Sequence, residues 1–460
     1  MLIPAFDFDA LRAREFARLD AHGVAYLDYA AGALYGESQV RAYADRLSQN
    51  VYGNPHSTHA PSALSASDLD AARVATLEYF DADPDVYDVC FAANTSGALK
   101  LVAEAYPFGP HKGLTLSADN HNSVNGAREY ARCAGASVSV LPIDGDLRLE
   151  EPAARMRWIT ETRGPGLLAF PVQSNFSGVR HELSLVNEAQ ALGFDVLVDA
   201  AGACSGFSLR AYPADFVAFA YYKLFGLPTG LGALIAKRAA LAKLQRPWFA
   251  GGAVDFVSVA FERHRLSAGH AGFEDGTPNF LNVGAVAPGF DFLARIPRAS
   301  LQHRIEALTR YFLQRAGTLT HADGAPLVRF YGPRDLKDRG GTLAFNMLDR
   351  QGRAAPYGQI EQRAQQARVA LRGGCFCNPG AAERAFGLAS PEAERCFETL
   401  ADRFSVPAFQ SCLGPDVAVG ALRVSVGAAT SFADLDRCLE VLAAFSETSE
   451  KCPISVAAAD

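Results

Sequence analysis

The sequence predicts an α/β protein, with a mostly parallel sheet in a large domain and a smaller α+β domain beside it. Three observations predict it. Short apolar runs alternate with helical patterns between about residues 85 and 240. The 460-residue length exceeds the usual size of one hydrophobic core. Two of the apolar runs end on an acid and an amine, Asp199 and Lys223, as strands do at the ligand-binding edge of such sheets.

In chain order, the runs are Val89-Cys-Phe-Ala, Leu114-Thr-Leu, Val138-Ser-Val-Leu, Leu167-Leu-Ala-Phe-Pro-Val, Val196-Leu-Val, Phe216-Val-Ala-Phe and Leu231-Gly-Ala-Leu-Ile. Residues 247–282 are Gly-rich and read as an irregular connection, and 283–316 read as a long helical stretch. Strands, helices and a Gly-rich loop follow up to residue 447. The expected division is a large domain over 45–305, a small domain from 306–447 with residues 1–44, and a frayed tail over 448–460. No internal repeat, low-complexity tract or heptad run is present.

Composition narrows the function classes. With 49% apolar and 20% charged residues the chain is globular, and its net charge of −7 is spread without a Lys/Arg block. That argues against nucleic acid or an anionic membrane as partner and for small-molecule chemistry. The first fifteen residues mix acids into apolar positions and lack a signal-peptide core, and no run is long enough to span a membrane. Nine scattered cysteines, at 90, 133, 204, 375, 377, 396, 412, 438 and 452, fit reduced thiols in a cytoplasm better than a disulfide framework.

Lys223 closes the run that starts at Asp215, and a lysine ending a buried strand is costly unless it is paired or chemically employed. Asp199 ends the preceding strand. An amine and a carboxylate on one sheet edge suit pyridoxal 5'-phosphate (PLP): the lysine forms a Schiff base and the carboxylate keeps the ring nitrogen protonated. The same two residues could equally be a structural ion pair.

Other strand ends converge on that edge. Asn94-Thr95-Ser96-Gly97 joins a strand to an amphipathic helix, so its backbone amides and the Thr95 and Ser96 hydroxyls could cradle a phosphate or simply cap the helix. His121 follows another strand and could stack on a cofactor ring and relay protons; Gln173 and Asn175 follow a third, and an asparagine there could bond a phenolate oxygen. In Gly374-Cys375-Phe-Cys377-Asn-Pro-Gly380 the Cys-x-Cys spacing, with no second pair, argues against zinc and for no metal site. A thiol on a glycine-flanked loop that can swing suits nucleophilic attack. Arg423, in Ala421-Leu-Arg-Val-Ser-Val-Gly427, reads as an alternating-strand residue: either a surface ion pair or a bidentate clamp on a substrate carboxylate.

Together these segments resemble the class V (fold type I) PLP-dependent cysteine desulfurase family, most closely the N-terminal sulfurase domain of molybdenum cofactor sulfurases. The resemblance also takes in Tyr26-Leu-Asp-Tyr-Ala-Ala-Gly, Asn54-Pro-His-Ser, Tyr222-Lys-Leu-Phe-Gly-Leu-Pro-Thr-Gly-Leu-Gly-Ala and Glu274-Asp-Gly-Thr277. It implies a fold type I enzyme in which Lys223 carries PLP, Asp199 meets the ring nitrogen, His121 stacks on the ring and Asn175 supports its phenolate oxygen. Thr95 and Ser96 would hold the phosphate, with Thr277 supplied by the second subunit of a homodimer. Arg423 would bind the carboxylate of L-cysteine, and Cys377 would attack its sulfur, becoming a persulfide as L-alanine leaves. Cys375 would only tune or shield its neighbour.

Three positions depart from the family pattern: Ala220 replaces a phosphate-binding serine, Gly202 a glutamine facing the cofactor, and Asn94 a glycine of the phosphate turn. The additional C-terminal cofactor-binding domain of full molybdenum cofactor sulfurases is not in this sequence, so the expected sulfur acceptor is unidentified. The alternatives are another class V PLP chemistry (C–S lyase, aminotransferase or epimerase) and a non-catalytic cofactor-binding protein. A desulfurase needs Cys377, whereas a lyase or transaminase does not.

Overall fold

A computed structural model describes residues 6–202 and 207–448. Its centre is a seven-stranded sheet of β1 (Tyr87–Ala92), β2 (Leu114–Ser117), β3 (Val138–Leu141), β4 (Leu167–Pro171), β5 (Asp195–Asp199), β6 (Phe216–Ala220) and β7 (Gly232–Lys237). The spatial order is β1-β7-β6-β5-β4-β2-β3, and only β7 runs antiparallel to its neighbours. All seven apolar runs of the sequence are therefore strands of one sheet. Because β7 alone is reversed, β1, β2, β4, β5 and β6 all end on the same edge.

Both faces of this sheet are covered, which is why its strands read as nearly continuous apolar runs. Side chains alternate along each strand: Val196 and Val198 enter one core while Leu197 enters the other. The first core is closed by Leu69, Ala72 and Leu77 of the helix α1 (Ala60–Tyr79) and by Leu11, Phe16 and Leu19 near the N-terminus. The second is closed by Ala98, Leu99, Leu101 and Val102 of the helix α2 (Thr95–Ala105).

A second, four-stranded antiparallel sheet comprises β8 (Val328–Tyr331), β9 (Thr342–Met347), β10 (Arg372–Gly374) and β11 (Ala421–Ser425), in the order β8-β9-β11-β10. Its core joins Leu343, Phe345, Leu422 and Val424 to Leu308 and Phe312 of one helix and Leu435 and Leu439 of another. Ala25 and Leu27 enter this core too, since Ala25–Tyr26 pairs in parallel with Val369–Ala370 and Asp28 bridges to Ser425.

Several sequence expectations change. Residues 254–266 are not irregular but form an antiparallel hairpin, Val254–Ser258 with Arg263–Leu266, whose exposed surface hid it from a burial pattern. The helical stretch 283–316 is interrupted: Val286–Ala294 stops before Pro297 and Arg298–Gly317 begins after it, because a proline disfavours helical geometry in the residue before it. The nine cysteines are not all reduced thiols. Cys396 and Cys412 form a disulfide that ties helix Pro391–Leu400 to helix Val406–Leu413, two helices inserted between the Cys-x-Cys loop and β11. The inference of a reducing compartment from cysteine spacing loses its basis there, since spacing does not report which thiols fold together. Cys204, Cys452 and the tail beyond residue 448 lie outside the described residues. Among the described residues, no helix is long and apolar enough to cross a membrane.

Candidate active site

The common strand edge holds a cavity of about 290 Å³ lined by Thr95, Ser96, His121, Asn175, Asp199 and Lys223, among others. Six candidate residues separated by up to 128 positions thus meet in one place. The hairpin-like return through β7 and the parallel crossovers, with their five aligned strand ends, make the meeting.

Lys223 lies three residues beyond β6, in a single helical turn, Tyr222–Phe225, that ends on Gly226 at φ 81°. A Cβ at Gly226 would sit 2.2 Å from the Tyr35 amide nitrogen, so this turn requires glycine for both backbone angle and space. Among the described residues Lys223 makes no ion pair. Burial holds its ammonium below the usual lysine range, opposed by the charge of Asp199. The direct ion pair that the sequence allowed between these two residues is thus absent. Asp199 is buried, accepts the Ala201 amide at 2.9 Å, and has its carboxyl pushed up by burial.

The turn after β1 is built by Asn94, whose Oδ1 caps the helix α2 by accepting the Gly97 amide at 2.9 Å. The sequence's two readings of this turn are compatible, because Asn94 does the capping and leaves the neighbouring hydroxyls for another partner. Thr95 Oγ1 is buried with no hydrogen-bond partner among the described residues, a costly state unless something polar enters the cavity. Ser96 Oγ lies 2.6 Å from Ser123 Oγ. Gly232 of β7 lets the turn approach, since a Cβ there would lie 2.6 Å from the Asn94 carbonyl carbon.

His121 accepts the Ser123 amide on Nδ1 at 3.1 Å, which leaves Nε2 to carry the proton. Burial lowers its affinity for a second proton. Ser123, absent from the sequence's candidates, therefore orients both His121 and Ser96. A serine two residues after the histidine at a helix start was its only signal. Asn175 gives one N–H to the Phe376 carbonyl at 2.5 Å and accepts from Asn378 Nδ2 at 3.0 Å, leaving its second N–H for the cavity.

Arg423 and Cys377 are outside the cavity lining. Every residue of β11 is buried, so Arg423 is neither on an alternating strand nor in a surface pair. It is 3% exposed, with Nη2 3.0 Å from Asp28 Oδ1, Nη1 2.9 Å from the Asn175 carbonyl, and its guanidinium over the Phe376 ring at 4.7 Å. Its Nε has no hydrogen-bond partner among the described residues. Arg372, directly across the strand pair, contacts the same Asp28 at 2.7 Å, so one carboxylate separates two adjacent cations. Asp28 belongs to the Tyr26-Leu-Asp-Tyr motif, and its role was invisible before the N-terminus was placed beside β11.

Cys375 and Cys377 are both exposed. The backbone carbonyl of Cys377 accepts the Asn122 amide at 2.7 Å, next to His121. The loop's glycines serve different needs, Gly374 standing at φ 124° with open space around it. Gly380 is present for close approach, as a Cβ there would lie 2.1 Å from the Ala118 carbonyl oxygen. Thr277 lies away from this cavity and accepts from Asn54 Nδ2 at 3.3 Å. Ala220 is a buried sheet residue paired with Gly232, while Gly202 lines the cavity. Among the described residues, no group of three or more potential metal ligands converges.

Residues 25–438 match the model of the aminotransferase class-V family. The chain belongs to this family. It is 32% identical over 489 residues to the molybdenum cofactor sulfurase of Arabidopsis thaliana, covering 96% of this chain and 58% of that protein. It is 35% identical over 413 residues to the Homo sapiens molybdenum cofactor sulfurase, covering 84% of this chain and 46% of that protein. This class-V chain thus spans roughly half the length of these relatives. In fold it is similar to an apo cysteine desulfurase from Thermococcus onnurineus NA1, with a TM-score of 0.79 at 22% identity, over 97% of this chain and 99% of that one. A cysteine desulfurase from Escherichia coli superposes with a TM-score of 0.74 at 24% identity, over 96% and 99% of the two chains.

Proposed function

We propose that this class-V chain is a PLP-dependent sulfurtransferase that takes sulfur from L-cysteine onto Cys377 and passes it to an acceptor. The observation that carries the reading is the junction of two features: a cavity holding a half-buried lysine with no ion pair among the described residues, and a cysteine loop bonded to that cavity's rim. The cavity residues fit PLP. Thr95 Oγ1 has no partner among the described residues, the amides at the start of α2 favour an anion, and the buried Asp199 carboxyl, destabilised as an anion, would be relieved by a cationic ring nitrogen. Thr95, Ser96, Asp199, His121, Asn175 and Lys223 would hold the cofactor. When bound, PLP supplies an electron sink at the substrate's α-carbon.

The chain's own groups supply the rest. Lys223, whose amine burial keeps more readily neutral, moves the α-proton. Arg423 orients the substrate carboxylate through the guanidinium edge that carries its unpartnered Nε. The Cys377 thiolate attacks the substrate sulfur: the new S–S bond makes a persulfide, the C–S bond breaks, its electron pair stays with carbon, and protonation there gives L-alanine. We further propose a homodimer in which Thr277 of a second copy completes the phosphate site. The exposed Phe256, Val259 and Phe261 of the nearby hairpin support an interface there. Light scattering tests it, and an active monomer would remove Thr277 from the site.

Product analysis with L-cysteine tests the function. Alanine with sulfide or persulfide supports it. Pyruvate with ammonia would instead make the chain a C–S lyase, a chemistry in which Cys377 has no part, and no turnover would leave a cofactor-binding protein.

A further inference from the structure

Cys377 is held by an unusual piece of backbone. Phe376 and Cys377 both have φ 56°, and two consecutive non-glycine residues in the left-handed region persist only where surrounding contacts enforce them. The residue that follows this turn, Asn378, is tied to one carboxylate. Asp119, fully buried and outside the cavity lining, accepts from Ser174 Oγ at 2.7 Å, from His181 Nε2 at 2.9 Å and from Asn378 Nδ2 at 2.6 Å. These donors come from the connection after β4 and from the cysteine loop, while Asp119 itself lies two residues before His121 in the connection after β2.

Asn378 extends the tie. Its amide also reaches Asn175 Oδ1 at 3.0 Å, and its Oδ1 accepts the Ala381 amide at 3.2 Å, capping helix Pro379–Phe386. The loop is therefore joined to the residues beside His121 and Asn175 by side-chain bonds at Asn378 and by backbone bonds at Phe376 and Cys377.

We infer that Asp119 is a positioning residue that, acting through Asn378, fixes the left-handed Cys377 turn against the cavity so that the thiol meets the substrate sulfur. This rests on the reading of Cys377 as the nucleophile. Asp119 touches neither cavity nor thiol. A buried carboxylate with three donors is costly to disturb, which suits a fixed reference point shared by three loops.

The discriminating variant is Asn378→Ser. A serine still caps the helix through its hydroxyl, but it has no N–H for Asp119 or Asn175. In the full chain loaded with PLP, cofactor absorbance is expected to stay at wild type and the melting temperature to fall by only a few degrees, as for loss of one buried charge-assisted bond. Hydrogen exchange at the Asn122 amide, which donates to the Cys377 carbonyl, is expected to speed up about tenfold, as for loss of one charge-assisted bond. Persulfide formation, read by intact mass, is expected to slow about tenfold. Asp119→Asn keeps an oxygen for Ser174 and Asn378 but loses its charge, so both effects are expected in the same direction and smaller. Wild-type exchange at Asn122 together with a wild-type persulfide rate in Asn378→Ser overturns the inference. So does loss of cofactor and early melting in both variants, which would make the hub a fold element only. If Cys377→Ser still makes alanine at the wild-type rate, the nucleophile reading fails instead; exchange at Asn122 still decides whether the hub holds the loop.

Discussion

Arg423→Ala separates support of the fold from hold on the substrate, and the structure sets both magnitudes. The truncation removes the contact to Asp28, the contact to the Asn175 carbonyl and the cation over Phe376. Deleting one partner of an isolated buried pair costs about 3–5 kcal/mol. Here the orphaned Asp28 keeps Arg372 at 2.7 Å, so the expected loss of stability is smaller, about 2–3 kcal/mol, near the value of one hydrogen bond to a charged group. Substrate binding should fall further, by about 2–5 kcal/mol, because a substrate carboxylate would lose its cation in a desolvated site. That is about a thirtyfold to a few-thousandfold rise in Kd for L-cysteine. Arg423→Lys refines the test: it keeps a charge for Asp28 but lacks the planar fork, so stability should recover more than binding does. Urea unfolding gives the first quantity, and spectral titration of the PLP-loaded protein with L-cysteine gives the second. PLP affinity should hardly change. Proportional losses of PLP affinity, substrate affinity and stability would refute the clamp and leave Arg423 as a fold residue.

Cys377→Ser should retain cofactor and substrate binding yet lose persulfide and alanine, while Cys375→Ser keeps much of both; mass spectrometry placing the extra sulfur on Cys375 would reverse the assignment. Since burial lowers the Lys223 pKa, its nucleophilic neutral form should appear at lower pH than in a surface lysine, so in PLP-free protein its labelling by an amine reagent should rise earlier with pH. An ordinary lysine profile would remove the burial argument. A non-reduced digest should yield a linked Cys396–Cys412 peptide pair, and two alkylated thiols there would show the inserted helices to be unlinked. Gly380→Ala should displace helix Pro379–Phe386 from Ala118 and impair persulfide formation; wild-type rate and stability would mean the helix tolerates a Cβ.

Sequence alone determined the large sheet and most of the cavity, for a physical reason. Strands buried on both faces must be apolar throughout, so they stand out as short runs, and in a parallel sheet whatever follows each run lands on one edge. Thr95, His121, Asn175, Asp199 and Lys223 were legible because each sits within a few residues of a strand end. What only the tertiary structure decided came from contacts made across long separations. The pairing of Asp28 with Arg423 spans 395 positions, and the tie of Asp119 to Asn378 spans 259; no periodicity records such partners. Neither does local sequence distinguish a glycine that swings from one, such as Gly380, that lets a helix touch a neighbouring carbonyl. The hairpin at 254–266 escaped because its strands lack a buried face, and the Cys396–Cys412 bond because proximity of two helices, rather than spacing, brings the thiols together.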